Sequence, residues 1–118
     1  MRLGIDLIEI ERVAAACSRW GGRFTERVFT DAERAFCAGR CGSFASRFAA
    51  KEATAKALGV GIGGIAWRDV EVLSGDNRQP RLALHGKALA LAESLGITET
   101  SVSLSDTRDH AMAVVVLS

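Results

Sequence analysis

Apolar and polar positions recur along this chain with periods that divide it into short strands and helices. Residues 3–10, LGIDLIEI, are mostly apolar with Asp6 and Glu9 interposed, and they predict a buried strand. That strand runs into a helix over residues 11–20, which Gly21 and Gly22 stop, and a short segment follows at 24–29. In FTDAERAFCAGR, Thr30 is placed as an N-cap with Glu33 three residues on, a capping box for a helix that ends near Gly39. The longest helical pattern is SFASRFAAKEATAKALG, with Ser43 as its N-cap, an alanine-rich interior and Gly59 at the position of a terminating glycine. After the connector GVGIGG, the alternation in WRDVEVL predicts a half-buried strand, SGDNRQP a turn, and RLALHG the second strand of a hairpin. GKALALAESLG reads as an amphipathic helix stopped by Gly96, and TSVSLS, DTRD and HAMAVVVL as a terminal hairpin. The predicted order is β-α-α-α-β-β-α-β-β. Adjacent strand pairs make this an antiparallel α+β fold, with a sheet packed against the long helix.

Composition narrows the class. The 118 residues match one ordinary domain, residues 1–118, with 48% hydrophobic and 25% charged side chains. Fifteen basic residues nearly cancel 14 acidic ones, so no global charge marks a nucleic-acid binder, and any anion site must come from a local cluster. No run reaches the roughly 18 to 20 apolar residues of a spanning helix. Asp6, Glu9 and Glu11 stand where a secretory signal keeps an apolar stretch, so the expected location is cytoplasmic, away from membranes. Cys17, Cys37 and Cys41 fit a reducing compartment. Two cysteines four apart, with His85 and His110 distant and isolated, do not close a zinc site, and they are read as free thiols.

The candidate chemistry lies in two segments. Asp6 interrupts an apolar strand; it must be solvated, paired with Arg2 or Arg12, or bound to a cation. On the long helix, Arg47 with Lys51 and Glu52 with Lys56 are each four apart and stack on one face. Glu52 and Lys56 can be read as a surface ion pair. They can also be read as a ladder in which Glu52 holds a hard cation and Lys56 meets phosphate oxygens. Magnesium suits the second arrangement, since it takes one or two protein carboxylates and fills its shell with phosphates and water. GVGIGG follows a helix, whereas phosphate loops follow a strand and open a helix, so it is read as a connector. Arg12, Arg19, Arg23 and Arg27 recur along the first helical region as a candidate basic docking patch, which the glycines at 21 and 22 interrupt.

GIDLIEIERV, FTERVFTDAE, RFAAKEATAKALGVGIG, WRDVEV, PRLALHGKA and VSLS, in this order and spacing, resemble the acyl-carrier-protein synthase family of 4'-phosphopantetheinyl transferases along nearly the whole chain. The resemblance implies transfer of 4'-phosphopantetheine from coenzyme A to a serine of an apo acyl carrier protein, releasing adenosine 3',5'-bisphosphate, in fatty-acid or polyketide synthesis. It places the family's magnesium carboxylates on Asp6 and Glu52. The catalytic groups fall on Glu52 and Lys56, and the coenzyme A-binding groups on Arg47, Lys51 and Lys56. It also implies a homotrimer with active sites shared between subunits, and an acidic carrier protein as partner. One position departs from the family: the histidine expected after VSLS is Asp106, which as an anion repels phosphates unless a cation intervenes. Asp106 can be read as a further metal ligand beside Asp6 and Glu52, as a second base, as the mark of a weaker enzyme, or as that of a non-catalytic module that binds coenzyme A or carrier protein. His110 is read as structural. A two-metal phosphate-ester hydrolase lacks the extra His and Asp ligands it needs.

Overall fold

The computed structural model describes residues 1–118 except 62, 76 and 78. Strand β1 (Arg2–Glu9) divides its side chains by parity, as a pleated strand must. Gly4, Asp6 and Ile8 turn inward, while Leu3, Ile5 and Leu7 lie on the opposite face, 65%, 55% and 65% exposed. The strand predicted as buried is therefore covered on one face only.

Helix α1 (Ile10–Trp20) follows directly and ends at Gly21, whose φ of 56° turns the chain out of the helix. Residues beyond the turn become helical again as α2 (Gly22–Val28), an element more than the predicted order contains. Helix α3 (Asp31–Cys37) carries the full Thr30–Glu33 capping box that its sequence indicates. The long helix α4 (Cys41–Leu58) starts two residues before the predicted Ser43 cap, with Arg40 at the N-cap position, and ends at Gly59 as expected. Trp67–Asp69 form a 3-10 turn, so the strand predicted from Trp67 begins only at β2 (Val70–Ser74), which pairs with β3 (Pro80–Leu84). Of the predicted SGDNRQP turn, residues 76 and 78 lie outside the described residues, as does 62 of the glycine connector. Helix α5 (Gly86–Ser94) leads to the terminal hairpin, β4 (Thr100–Asp106) and β5 (His110–Leu117).

The hairpin does not sit beside β1 in sequence order. Strand β5 takes the centre of a three-stranded antiparallel sheet, β1-β5-β4, with Arg2 opposite Leu117 and Glu9 opposite His110. HAMAVVVL is apolar at nearly every position because both its faces meet apolar neighbours: Ala111, Ala113, Val115 and Leu117 are buried under α4, and Met112, Val114 and Val116 line up with Leu7, Ile5 and Leu3 on the outer face. Helix α4 crosses the inner face antiparallel to β1. It lies so close that a Cβ on Gly4 would stand 1.8 Å from the Ala53 carbonyl oxygen. Alanines 45, 49, 50, 53 and 57 allow this approach, and on the other side of α4 the aromatic rings of Phe29 and Phe44 meet at 4.8 Å. Phe48 stacks on Trp67 at 4.8 Å. The fold is thus a helix clasped between a three-stranded and a two-stranded antiparallel sheet, the α+β architecture expected from the sequence. No described helix is long and apolar enough to cross a membrane.

Candidate active site

Three of the predicted site residues converge where β1 passes under the C-terminal half of α4. Asp6 points from the strand toward the helix with its side chain 13% exposed, and Lys56 Nζ reaches its Oδ1 at 3.1 Å and the Ile5 carbonyl at 3.0 Å. Lys56 therefore pairs with Asp6 rather than with Glu52, its helical neighbour four residues back. Because Lys56 is 57% exposed, this ion pair adds little stability and leaves the ammonium free to move. Glu52 has no salt-bridge partner among the described residues. Partial burial pushes its carboxyl above the ordinary glutamate value, and the Asp6 carboxylate pushes it further, against the weaker pull of Lys56 and Arg12. Two carboxylates thus stand within electrostatic reach of each other, with the Lys56 ammonium on Asp6 and Arg12 as a further, weaker counterweight to Glu52. A hard cation fits this donor set, since it would relieve the repulsion that raises Glu52. No group of three or more His, Cys, Asp or Glu side chains among the described residues could hold an ion by itself. The remaining ligands would have to come from water or phosphate.

Asp106 does not join the pair within one chain. Its Oδ2 lies against Gly42 in the first turn of α4, 3.1 Å from where a Cβ would project. Gly42 precedes Glu52 by ten residues, about 15 Å along a helix rising 1.5 Å per residue. The reading of Asp106 as a third ligand beside Asp6 and Glu52 is thereby corrected for the single chain. His110 opens β5 on the surface, paired in register with Glu9.

The other two helix cations part company. Arg47 sits on a different side of α4, buried, with its guanidinium 4.3 Å from the Phe36 ring centre. It donates weakly to the Ser43 carbonyl and to the hydroxyls of Ser46 and Ser74 at 3.3 to 3.4 Å, and its Nε has no partner. Burial draws its pKa below the ordinary arginine value. It lines an open cavity of ≈ 350 Å³ with Arg40, Ser43, Ser103 and Asp106. A guanidinium at the wall of a cavity, with its terminal nitrogens held only by long contacts, can receive an anion.

Lys51 is the clear correction. Predicted among the cofactor-binding residues, it is fully buried, and its ammonium donates to Glu33 Oε1 at 2.8 Å, to the Trp67 carbonyl at 3.2 Å and, at short range, to the Val70 carbonyl. All three of its protons are spent inside the protein, so it meets no ligand. Glu33, which the sequence suggested only as a capping residue, is equally buried and accepts from the backbone N–H groups of Thr30 and Val72, each at 2.9 Å. The capping-box pattern marked Glu33, but nothing in it signalled burial.

The arginine series is regrouped by the helix break. Arg23 and Arg27 on α2 line a surface cavity of ≈ 400 Å³ with Phe24 and the half-exposed Trp20, and Arg19 stacks on Trp20 at 4.9 Å. Cys37 is fully buried, and burial pushes its thiol up to about 11, which removes it from metal or redox chemistry at neutral pH.

Residues 2–115 match the model of the 4'-phosphopantetheinyl transferase superfamily. The chain is 52% identical over 120 residues to the holo-[acyl-carrier-protein] synthase of Herpetosiphon aurantiacus, covering 96% of this chain and 94% of that protein. It is 51% identical to the same-named protein of Solidesulfovibrio magneticus, over 98% and 95%. The fold superposes on the crystal structure of Helicobacter pylori holo-[acyl-carrier-protein] synthase in complex with coenzyme A with a TM-score of 0.90, at 32% identity over 98% of this chain and 99% of that one. The Neisseria meningitidis synthase is similar at a TM-score of 0.88 and 34% identity, over 99% and 97%. The chain belongs to the 4'-phosphopantetheinyl transferase superfamily. The family and fold expected from its motifs are both borne out.

Proposed function

We propose that this protein transfers the 4'-phosphopantetheine group of coenzyme A to a serine of an apo acyl carrier protein, with Asp6, Glu52 and Lys56 as its reacting centre. The observation that carries the reading is the meeting of those three side chains under α4, in a chain whose relatives are holo-[acyl-carrier-protein] synthases. In the reaction the serine Oγ bonds to the phosphorus that carries pantetheine. The bridging P–O bond of the pyrophosphate breaks, and its electron pair leaves on adenosine 3',5'-bisphosphate. Glu52 takes the serine proton as general base. Lys56, exposed and held only by Asp6 and a carbonyl, swings to the pyrophosphate and meets the charge that grows on the leaving oxygen. Asp6 and Glu52 would hold a magnesium ion, which when bound would supply further stabilisation of phosphate charge.

Arg47 binds another part of coenzyme A through its cavity. That cavity opens on a different side of α4 from Glu52, so one cofactor touches both groups most readily if neighbouring chains supply them. The outer face of Leu3, Ile5, Leu7, Met112, Val114 and Val116 is the apolar surface on which a homotrimer would close. The Trp20–Arg23–Arg27 cavity offers charge and an aromatic anchor to an acidic carrier protein. The whole chain acts as one cytoplasmic catalytic domain.

The test is direct. The protein is incubated with coenzyme A, magnesium and several apo carrier proteins, and the carriers are weighed by mass spectrometry. A phosphopantetheine increment on at least one carrier is expected. Coenzyme A binding without an increment on any carrier would instead establish a non-catalytic binding module.

A further inference from the structure

Glu52 and Lys56 can work with Asp6 only if α4 has one rotation about its axis and one position along it. Two contacts set these. On the sheet side, the bare Cα of Gly4 receives the Ala53 carbonyl, which fixes the distance of α4 from β1 but lets a smooth alanine surface slide and turn. On the far side, Lys51 leaves α4 about 100° around the helix from Glu52. It ends in the buried carboxylate of Glu33 and the carbonyls of Trp67 and Val70. Glu33 is in turn anchored by the N–H groups of Thr30 and Val72, so the ion pair joins the start of α3, the 3-10 turn and β2 at one point. We propose that the buried Lys51–Glu33 pair is a positioning device for the transferase centre, which sets the rotation of α4 and so holds the Glu52 carboxylate opposite Asp6.

The physical argument is one of specificity over stability. A buried ion pair recovers little more than its own desolvation cost, and an apolar pair of similar volume often serves stability as well. What an apolar pair cannot do is demand one direction, whereas an ammonium with three fixed acceptors can. Misplacement of a catalytic group by about 1 Å costs roughly 10²-fold in rate, so a device of this kind repays its desolvation where the chemistry is. The neighbouring position of Lys51 and Glu52 makes the coupling short: the same turn of helix carries the tether and the base.

The proposal rests on the transferase reading, and the experiment separates the two. The double variant Glu33→Gln/Lys51→Met removes the tether, leaves no unpaired charge in the core and keeps an amide oxygen for one of the two N–H groups, Thr30 or Val72, that bond separate oxygens of the native carboxylate. Mn²⁺ is titrated by electron paramagnetic resonance into wild type and variant, each saturated with coenzyme A and without carrier protein. We expect the variant to keep one Mn²⁺ per site with about tenfold weaker affinity. Its kcat should fall at least tenfold, with the KM for carrier protein unchanged, because the docking arginines lie on α1 and α2. Wild-type affinity in the folded variant would overturn the proposal. So would fewer sites of unchanged affinity, the signature of a partly unfolded population. If the double variant does not fold, Glu33→Asp, which keeps the charge but shortens its reach, takes its place. A weakened Mn²⁺ affinity is then expected, and an unchanged one overturns the proposal. Wild type that holds no Mn²⁺ beside coenzyme A would sink the metal assignment itself and the positioning role with it.

Discussion

As the proposed site residues, Asp6 and Glu52 set function against stability residue by residue. Their mutual repulsion, added to burial, raises Glu52, and Lys56 and Arg12 offset it only in part. Glu52→Gln removes that repulsion. It should leave the thermal midpoint of the metal-free protein equal to or above wild type, while kcat falls by about 10²-fold or more with the loss of the base. Parallel melts and transfer assays check both halves. Glu71 behaves in the opposite sense: burial pushes its carboxyl up, but the Thr30 hydroxyl at 2.5 Å, His85 Nε2 at 3.0 Å and the Lys51 charge outweigh it and hold the group below its ordinary value of 4.5. A depressed carboxyl stabilises the fold fully above its unfolded pKa, and that contribution is lost as pH falls through the folded one. Thermal melts of wild type and Glu71→Gln should therefore differ most near neutral pH and converge as pH drops below about 4.5. At this scale the sequence was informative about residue type and silent about direction. Lys51 and Lys56 carry the same charge on the same helix, yet one is sealed against Glu33 and the other lies on the surface. Only the packing of α4 between two sheets decides which.

Helix α4 was legible as a helix and illegible as to its faces. An amphipathic stripe identifies the buried side of a surface helix, but α4 is buried from Phe44 to Leu58 on most of its circumference, so its pattern carries no stripe. Its start is a second difference from the sequence pattern. Ser43 is a good capping residue by type, but the helix begins at Cys41. Gly4 is the other element-scale feature that the sequence concealed, since a glycine in a strand ordinarily weakens it. Here it admits the Ala53 carbonyl to a distance no side chain tolerates. Gly4→Ala must separate β1 from α4, and overpacking of this kind costs on the order of 3 kcal/mol. Because the separation also moves Asp6 from Glu52, the variant should lose transfer activity under conditions where it remains folded. The urea midpoint and the rate measured well below it report the two losses separately.

At the scale of the whole molecule, the division of the predicted site is the informative result. The motif RFAAKEATAK places Arg47, Glu52 and Lys56 within ten residues of one another. The helix sends Arg47 to a cavity beside Phe36 and Ser103, and Glu52 and Lys56 to the neighbourhood of Asp6. A cyclic trimer with a head-to-tail interface would reunite them, one chain presenting its carboxylates and the next its Arg47 cavity. Subunit complementation decides this. Glu52→Gln and Arg47→Met chains are each expected to be nearly inactive alone. Refolded together in equal amounts, they assort at random, and a site is whole only where an intact Glu52 meets an intact neighbouring Arg47. Activity should then return to about a quarter of wild type in a closed ring with one such interface per chain. A mixture as inactive as its components would show that each chain builds its site alone. In that case coenzyme A would have to span α4 within a single subunit, and the exposed Leu3–Ile5–Leu7 face would lose its link to catalysis.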